Sequence, residues 1–542
     1  MAETGFRKKE GLTFKDSGAP LSGPLLLAAI GGILQTLSWP WPGLWHLCFL
    51  CLAPLIIASD GQSGRRAFLL GWVYGLAQSF SSLPWLAEVL SGYGGLGPAL
   101  GWLILGLLVL YLALYPAFFA WLTTICVPSP MLWAILGAAA WGGLDWLKNW
   151  VFTGFNWTPL AGPLALSTEM GQAADIFGFY GLGFFVALVN FFLAVVFFES
   201  REGRKGRARL YLAAVAALIV GAFAYGNYQF KYWDEAADRG ETKIVAAVQP
   251  STDQVIKWDE DYRQKLLTRY EMLAQEAGRL NPWLTLWPET AMPFIFDLDF
   301  EESEWLRRLT AQNGEQTLVG IAGVSGHWPE QKLHNRLIFF QNGQPRDWYD
   351  KRHLVPFGEY LPLDWLPFLN WAFMQGLIGA AGTYSPGPKR LPIEVLLDPQ
   401  NPGGRKIRLG VMICFESTFP YIGRDRVLEG AELLVVPTND GWFGRSRAPE
   451  QHLLQASMRS IETRRPLIRA GNTGISAVVH PNGDIVGASA LYDVGAFPLE
   501  TPLLKSEDLR QTPFVRWGHR LPPFLAALTG LLALIRFFRK QK

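Results

Sequence analysis

Apolar residues along the chain are gathered into long blocks, and one long polar stretch interrupts them towards the C-terminus. A helix that crosses a bilayer needs roughly 20 consecutive, mostly apolar residues. Seven blocks before residue 230 meet or approach that length, near 22–39, 43–59, 66–87, 98–122, 130–147, 175–198 and 208–226, and an eighth lies near 521–538. The second is short and the third carries polar residues. The pattern predicts a membrane α-helical bundle of about eight spans, contributed by residues 1–227 and 516–542, with a soluble domain, 228–515, inserted before the last span. A cleaved signal peptide is not expected, because Arg7, Lys8 and Lys9 are separated from the first block by a polar stretch and no A-x-A site follows.

Within the polar stretch the hydrophobic period alternates between that of buried strands and that of helices. "TKIVAAVQP" (242–250) reads as a first strand, "EDYRQKLLTRYEMLAQEAGRL" (260–280) as an amphipathic helix, and "LTLWPE" (284–289) as a second strand. The order continues with a helix at 301–313, strands at 317–324, 335–341 and 406–415, and a short helix near 418–429. The strand "ELLVVPTND", a helix near 449–463 and the turn-linked pair "GISAVVHPNGDIVG" complete it. Strands alternating with helices predict a layered α/β domain, with reactive groups where strands end. One segment, 359–388, breaks the pattern: it carries Trp365, Phe368, Trp371 and further apolar residues with few charges. It reads either as a helix in the domain's own core or as a lid dipping into the bilayer interface, and tethering of the domain to a membrane favours the lid.

Charge orients the blocks. Arg7, Lys8, Lys9 and Lys15 precede the first, Arg65 and Arg66 follow the second, Arg201, Arg204, Lys205, Arg207 and Arg209 follow the sixth, and Arg536, Arg539, Lys540 and Lys542 follow the eighth. With eight spans all of these fall on one face, the cytoplasmic one, and Lys148 is the exception. Both termini are then cytoplasmic and the soluble domain lies outside the cytoplasm. The net charge of +2 is too small and too evenly spread to suggest a nucleic-acid partner. "GYGGLG" (92–97) matches a dinucleotide fingerprint, but it sits between apolar blocks and not between a strand and a helix. His46 lies within a block, where an ionisable group is expected to face protein or a cavity.

Of four cysteines, Cys48, Cys51 and Cys126 lie in apolar blocks, and Cys414, in "RLGVMICFESTFP", is alone in the soluble domain. No CxxC pairing suggests a zinc ribbon or a disulfide framework. In an oxidising compartment a lone thiol is either buried and inert or kept free because it is needed. Two other residues lie where strands should end: Glu289 in "LTLWPET" and Lys351 in "WYDKRHLVPFGEY". A carboxylate that accepts the thiol proton, a lysine that stabilises an oxyanion and a cysteine nucleophile suffice for acyl transfer. A Cys–His dyad using His353 or His452 is also open. Each residue equally fits a plain role: Cys414 a small buried hydrophobe, Lys351 a solvated cation, Glu289 a surface turn.

"WPETAMP", "YDKRHLVPFGEYLP", "GVMICFES" and "PTNDGWFG" resemble the motifs of the nitrilase, or carbon–nitrogen hydrolase, superfamily. Their setting between a seven-span bundle and a final span is similar to that of the apolipoprotein N-acyltransferases of bacterial inner membranes. The resemblance implies an αββα sandwich and a triad of Glu289 as proton acceptor, Lys351, and Cys414 as nucleophile. It implies supporting roles for Glu359 and Glu416, and a substrate-region role for Trp258 in "VIKWDE". Phe415 stands where many members have Tyr, which removes a hydroxyl and leaves the backbone N–H.

The reaction so implied moves a fatty acyl chain from a membrane phospholipid, through a Cys414 thioester, to the N-terminal amine of a diacylglyceryl-cysteine apolipoprotein, with no cofactor or metal. Two other readings compete with it. One is a membrane-anchored amidase acting on a small soluble substrate. The other is a non-catalytic receptor, which would have no need of all three triad residues.

Overall fold

In the computed structural model the described residues are 21–539, apart from 93–96, 126, 128, 255, 313–315, 328, 329, 361–383 and 390. Most of the 359–388 lid segment, residues 361–383 with Trp365, Phe368 and Trp371, and most of "GYGGLG" lie outside them. The described residues form two compact units. One takes in residues up to Ala87, Trp102–Tyr228 and those from Arg516 onward; the other takes in Glu88–Gly101 and Gln229–Val515.

The first unit is helical. Among the described residues of the chain, four helical stretches are long and apolar enough to cross a membrane: Gly97–Thr123, Ala174–Arg201, Lys205–Asp238 and Gly518–Arg536. The helix Ser22–Ser38 falls short in length, and Gly64–Ser82 carries polar residues; the two bury polar side chains against each other. Tyr74 donates to Gln35 Oε1 at 2.7 Å, and Thr36 Oγ1 lies 2.8 Å from Ser82 Oγ. Their approach requires Gly32, where a Cβ would come within 2.3 Å of the Tyr74 carbonyl. The second apolar block is not one helix. It breaks between a 3₁₀ turn, Trp45–Phe49, and the helix Ala53–Ser59. Buried Asn190 satisfies the break, accepting from Leu52 and Ala53 N–H and donating to the Cys48 carbonyl. A break inside an apolar bundle is tolerated when protein side chains take up the freed backbone groups. Lys148 pairs with buried Asp145 at 3.0 Å, so the exceptional cation is neutralised locally. His46 is exposed on this unit, edge-on to Trp45, and is not turned into protein or a cavity.

In the second unit, thirteen strands are present among the described residues. The strands β1 (Glu241–Gln249), β2 (Leu284–Leu286), β3 (Ile295–Phe296), β4 (Gln316–Ser325), β5 (Lys332–Gln341), β6 (Gln344–Asp350) and β13 (Gly495–Leu503) form one sheet. Its order is β13-β1-β2-β4-β5-β6, with β3 paired to β4. The other sheet, β12-β11-β10-β9-β8-β7, uses β7 (Ile393–Leu396), β8 (Lys406–Val411), β9 (Leu433–Thr438), β10 (Leu467–Gly471), β11 (Ala477–Val479) and β12 (Ile485–Val486). Successive side chains of a strand point to opposite faces. Thus Val245 and Ala247 meet Leu409, Val435 and Ile468 of the opposite sheet. Ala246 and Val248 pack with Leu266, Tyr270 and Leu273 of the helix Glu260–Arg279. The helices Pro420–Leu428 and Ala448–Thr463 pack beside the second sheet. The layers are therefore helix, sheet, sheet, helix, the αββα sandwich that the resemblance implies.

Five strands, β3, β6, β7, β10 and β13, were not legible as such. The expected strand 335–341 is the second half of a hairpin arm that turns at Asn342 and Gly343, both with positive φ, into β6. This Asn-Gly pair is the turn chemistry of a tight hairpin, and it fixes the register that brings Lys351 to the end of β6. β3, β7, β10 and β13 were also missed. β13 carries Pro498 and Pro502, which its place at the sheet edge accommodates. The expected strand 406–415 stops at Val411, where pairing with β9 ends, and Cys414 lies beyond it.

Candidate active site

Three loops at strand ends carry the predicted residues. After β2, the Trp287 N–H donates to the Leu318 carbonyl and the Ala291 N–H to the Gly320 carbonyl, which pins Glu289 between them. Only glycine fits at 320, because a Cβ there would come within 2.0 Å of the Pro288 carbonyl. After β6, the Lys351 N–H donates to the Asn335 carbonyl, and Asp350 just before it takes a two-point contact from Arg336 at 2.6 and 3.0 Å. After β8, the chain enters a 3₁₀ turn, Cys414–Thr418, with Cys414 in the left-handed region at φ 51°. A non-glycine residue held there stores backbone strain of the kind found at functional sites.

The structure brings Glu289, Lys351 and Glu359 into direct contact. Lys351 Nζ donates to Glu289 Oε1 at 2.9 Å and to Glu359 Oε1 at 3.0 Å. Asn335 Nδ2 donates to the same two oxygens, at 2.7 Å each. Glu289 Oε2 accepts from the Asn439 N–H at 3.0 Å, and Glu359 Oε2 from the Val355 N–H at 2.8 Å. Lys351 is 1% exposed, so it is not a solvated cation. Burial alone would push its amine down, but Glu289 and then Glu359 outweigh that and hold it above the ordinary lysine range.

Cys414 is 7% exposed and sits in the field of the same groups. Burial, and next the Glu289 charge, push its thiol well up, against Lys351, which pulls it down. At neutral pH the resting cysteine is therefore a thiol, and attack requires a base that removes its proton as it reacts. Phe415 is buried, edge-on to Phe419 at 4.9 Å. Glu416 is fully buried and ties two loops together. It accepts from Arg352 N–H at 2.7 Å, His353 N–H at 3.1 Å, Ile413 N–H at 2.8 Å and the Tyr349 hydroxyl at 2.9 Å. Burial pushes its carboxyl up, while those backbone donors pull the other way.

Trp258 is 43% exposed, in the turn before the helix Glu260–Arg279. The histidines considered as alternative bases are engaged elsewhere. His353 Nδ1 lies 2.7 Å from the Tyr421 hydroxyl, and His452 Nε2 lies 3.1 Å from the Cys414 carbonyl.

Sequence reasoning missed Asn335, Asn439 and Lys257, although the last two stand inside quoted motifs. Lys257 is buried, donates to the Thr290 carbonyl, and is brought down to about 7 by burial, against the pull of Glu289. A lysine whose folded value lies below its free value destabilises the fold most when it is charged, below pH 7. The cost fades as pH rises towards the free-lysine range. Lys257→Met should therefore stabilise the purified protein by on the order of 2 kcal/mol at pH 6 and by almost nothing at pH 10. Thermal unfolding at the two pH values checks this, and equal shifts would contradict it.

Comparison with known proteins places the site in a class. Residues 244–493 match the family model described as carbon–nitrogen hydrolase, and residues 31–192 match the model described as apolipoprotein N-acyltransferase N-terminal domain. An apolipoprotein N-acyltransferase of Geobacter metallireducens is 33% identical over 95% of this chain and 96% of the relative. One of Chromobacterium violaceum is 30% identical over 95% of this chain and 94% of the relative. The chain belongs to the apolipoprotein N-acyltransferase family. Among solved structures, an amidase of the nitrilase superfamily from Nesterenkonia is 20% identical over 50% of this chain and 93% of that one, with a TM-score of 0.36.

Proposed function

We propose that the protein transfers a fatty acyl chain from a membrane phospholipid to the free N-terminal amine of a diacylated apolipoprotein, through a thioester on Cys414. The observation that carries this is the buried Glu289–Lys351–Glu359 cluster acting on the Cys414 thiol, in a chain of this family. Glu289 takes the thiol proton as sulfur attacks the ester carbonyl. Lys351, with the backbone N–H of Phe415 at the start of the 3₁₀ turn, stabilises the oxyanion. The C–O bond breaks, Glu289 returns the proton to the departing lysophospholipid oxygen, and the thioester remains. The acceptor amine then attacks. Glu289 takes an amine proton, the C–S bond breaks, and the sulfur recovers its proton. Glu359 shares Lys351 and keeps the lysine charged through both halves. Trp258, and Trp365, Phe368 and Trp371 of the apolar 359–388 segment, are assigned to binding the acyl chains.

The arrangement in the cell follows from the charge pattern. The protein resides in the inner membrane with eight spans. Its bundle is formed by residues 1–227 and 516–542, and the 228–515 domain is periplasmic, with both termini cytoplasmic. Four long apolar helices and the family support a membrane location.

Incubation of the detergent-purified protein with phospholipid should add one fatty-acyl mass to Cys414, removable by a diacylated lipopeptide and absent from Cys414→Ala. Hydrolysis of a small amide without lipid labelling would point to an amidase instead. No adduct and no turnover would leave a receptor.

A further inference from the structure

Behind the nucleophile lies a polar cluster that this chemistry does not use. His452, Asp440 and Arg469 are each fully or almost fully buried. Asp440 Oδ1 lies 2.9 Å from His452 Nδ1, and Asp440 Oδ2 accepts from Arg469 at 2.5 Å. On its other side, His452 Nε2 lies 3.1 Å from the Cys414 carbonyl and 3.1 Å from Ser417 Oγ. Ser417 Oγ itself donates to the Cys414 carbonyl at 2.7 Å.

These contacts fix the proton on Nε2. The single Ser417 proton is used on the carbonyl, and a carbonyl cannot donate, so Nε2 must be the donor to the shared pair of oxygens. Nδ1 faces either the Asp440 carboxylate, as an N–H, or an Arg469 N–H 3.2 Å away, as an acceptor. Burial and the Arg469 charge favour the neutral ring, and with its proton on Nε2 and Nδ1 accepting from Arg469 that ring has no free lone pair to offer the Cys414 sulfur. The cysteine, aspartate and histidine ligand atoms lie within 4.8 Å of one another, as a metal site would require. Both Asp440 oxygens are already engaged, however, one of them by a guanidinium.

We propose that His452 and Ser417 are positioning residues: together they clamp the Cys414 carbonyl and hold the nucleophile in its left-handed conformation, with Asp440 and Arg469 fixing the imidazole. The proposal rests on Cys414 being the nucleophile. A carbonyl fixed from two sides decides where Cβ, and with it the sulfur, points towards Glu289. Displacement of a reacting atom by about 1 Å costs about 100-fold.

The test compares His452→Leu, which removes the donor, with His452→Gln, whose side-chain amide reaches the Nε2 position and restores it. Two quantities are read in the full-length protein: the rate of Cys414 alkylation by iodoacetamide, which needs no lipid, and kcat and KM for acyl transfer. The leucine variant should lose about 10- to 100-fold in alkylation rate and in kcat with KM held within about threefold, and glutamine should recover most of the loss. A glutamine variant as inactive as leucine, with an unchanged unfolding temperature, would mean that the imidazole carries a proton, and would overturn the proposal. So would a leucine variant with wild-type kcat. If leucine does not fold, Ser417→Ala removes the other donor from the same carbonyl: a lower kcat at constant KM supports the clamp, and wild-type kcat overturns it. Failure of the wild-type protein to form an acyl adduct would instead remove the assigned reaction, leaving the alkylation comparison to stand separately.

Discussion

Glu289→Gln should stop both halves of acyl transfer, with kcat falling about 10³-fold or more and no acyl adduct accumulating on Cys414. The reason is that burial, the largest cause, still holds the thiol protonated when the Glu289 charge is gone, so thiolate does not accumulate without a base. Glutamine keeps the size but cannot accept the proton. It also meets donors on both sides: Asn335 and Lys351 face one oxygen, and the Asn439 N–H faces the other. Whichever way the amide turns, an N–H opposes an N–H, so some loss of stability accompanies the loss of activity. Lys351 retains Glu359 as a partner and stays charged. Intact mass after incubation with phospholipid reads the first half-reaction alone, and an adduct formed at wild-type rate would exclude Glu289 as the base.

Glu416→Gln should destabilise the second unit by about 2–4 kcal/mol, because hydrogen bonds to a charged group weaken and at least one buried donor is left without an acceptor. Three backbone N–H groups and the Tyr349 hydroxyl converge on this carboxylate from two loops, one carrying Lys351 and one carrying Cys414. An amide in its place presents an N–H to at least one of those donors. The unfolding temperature should drop by about 10 °C, given about 2–4 °C for each kcal/mol in a domain of this size. Surviving folded protein should also be slower, because the two loops are no longer held in one frame. Wild-type unfolding and wild-type kcat would falsify the view that Glu416 joins them.

Much of this site could be read along the chain. Glu289, Lys351, Glu359 and Cys414 stand in short runs whose residue types suit acyl transfer, and the resemblance carried by those runs pointed to their grouping. The positioning residues could not be read in the same way. Asp440 and Arg469 look along the chain like ordinary charged residues, His452 could be read only as a possible base, and only the return of β9, a helix and β10 brings the three under the nucleophile. Cys414 reads as the end of a strand, yet its conformation is set by contacts on its carbonyl that are 3 and 38 residues away. The second apolar block reads as one span, yet it is broken and rejoined by Asn190, 137 and 138 residues downstream.

By itself the sequence determined the division into apolar blocks and a layered α/β domain, because hydrophobic periodicity is local and is enforced by burial wherever the segment lies, while the αββα layering was implied only by the resemblance. It also determined the chemistry on offer, since side-chain identity does not depend on folding. The tertiary structure alone decided which of those groups are charged, paired or clamped. That depends on desolvation and on partners a few ångströms away, which separation along the chain does not encode.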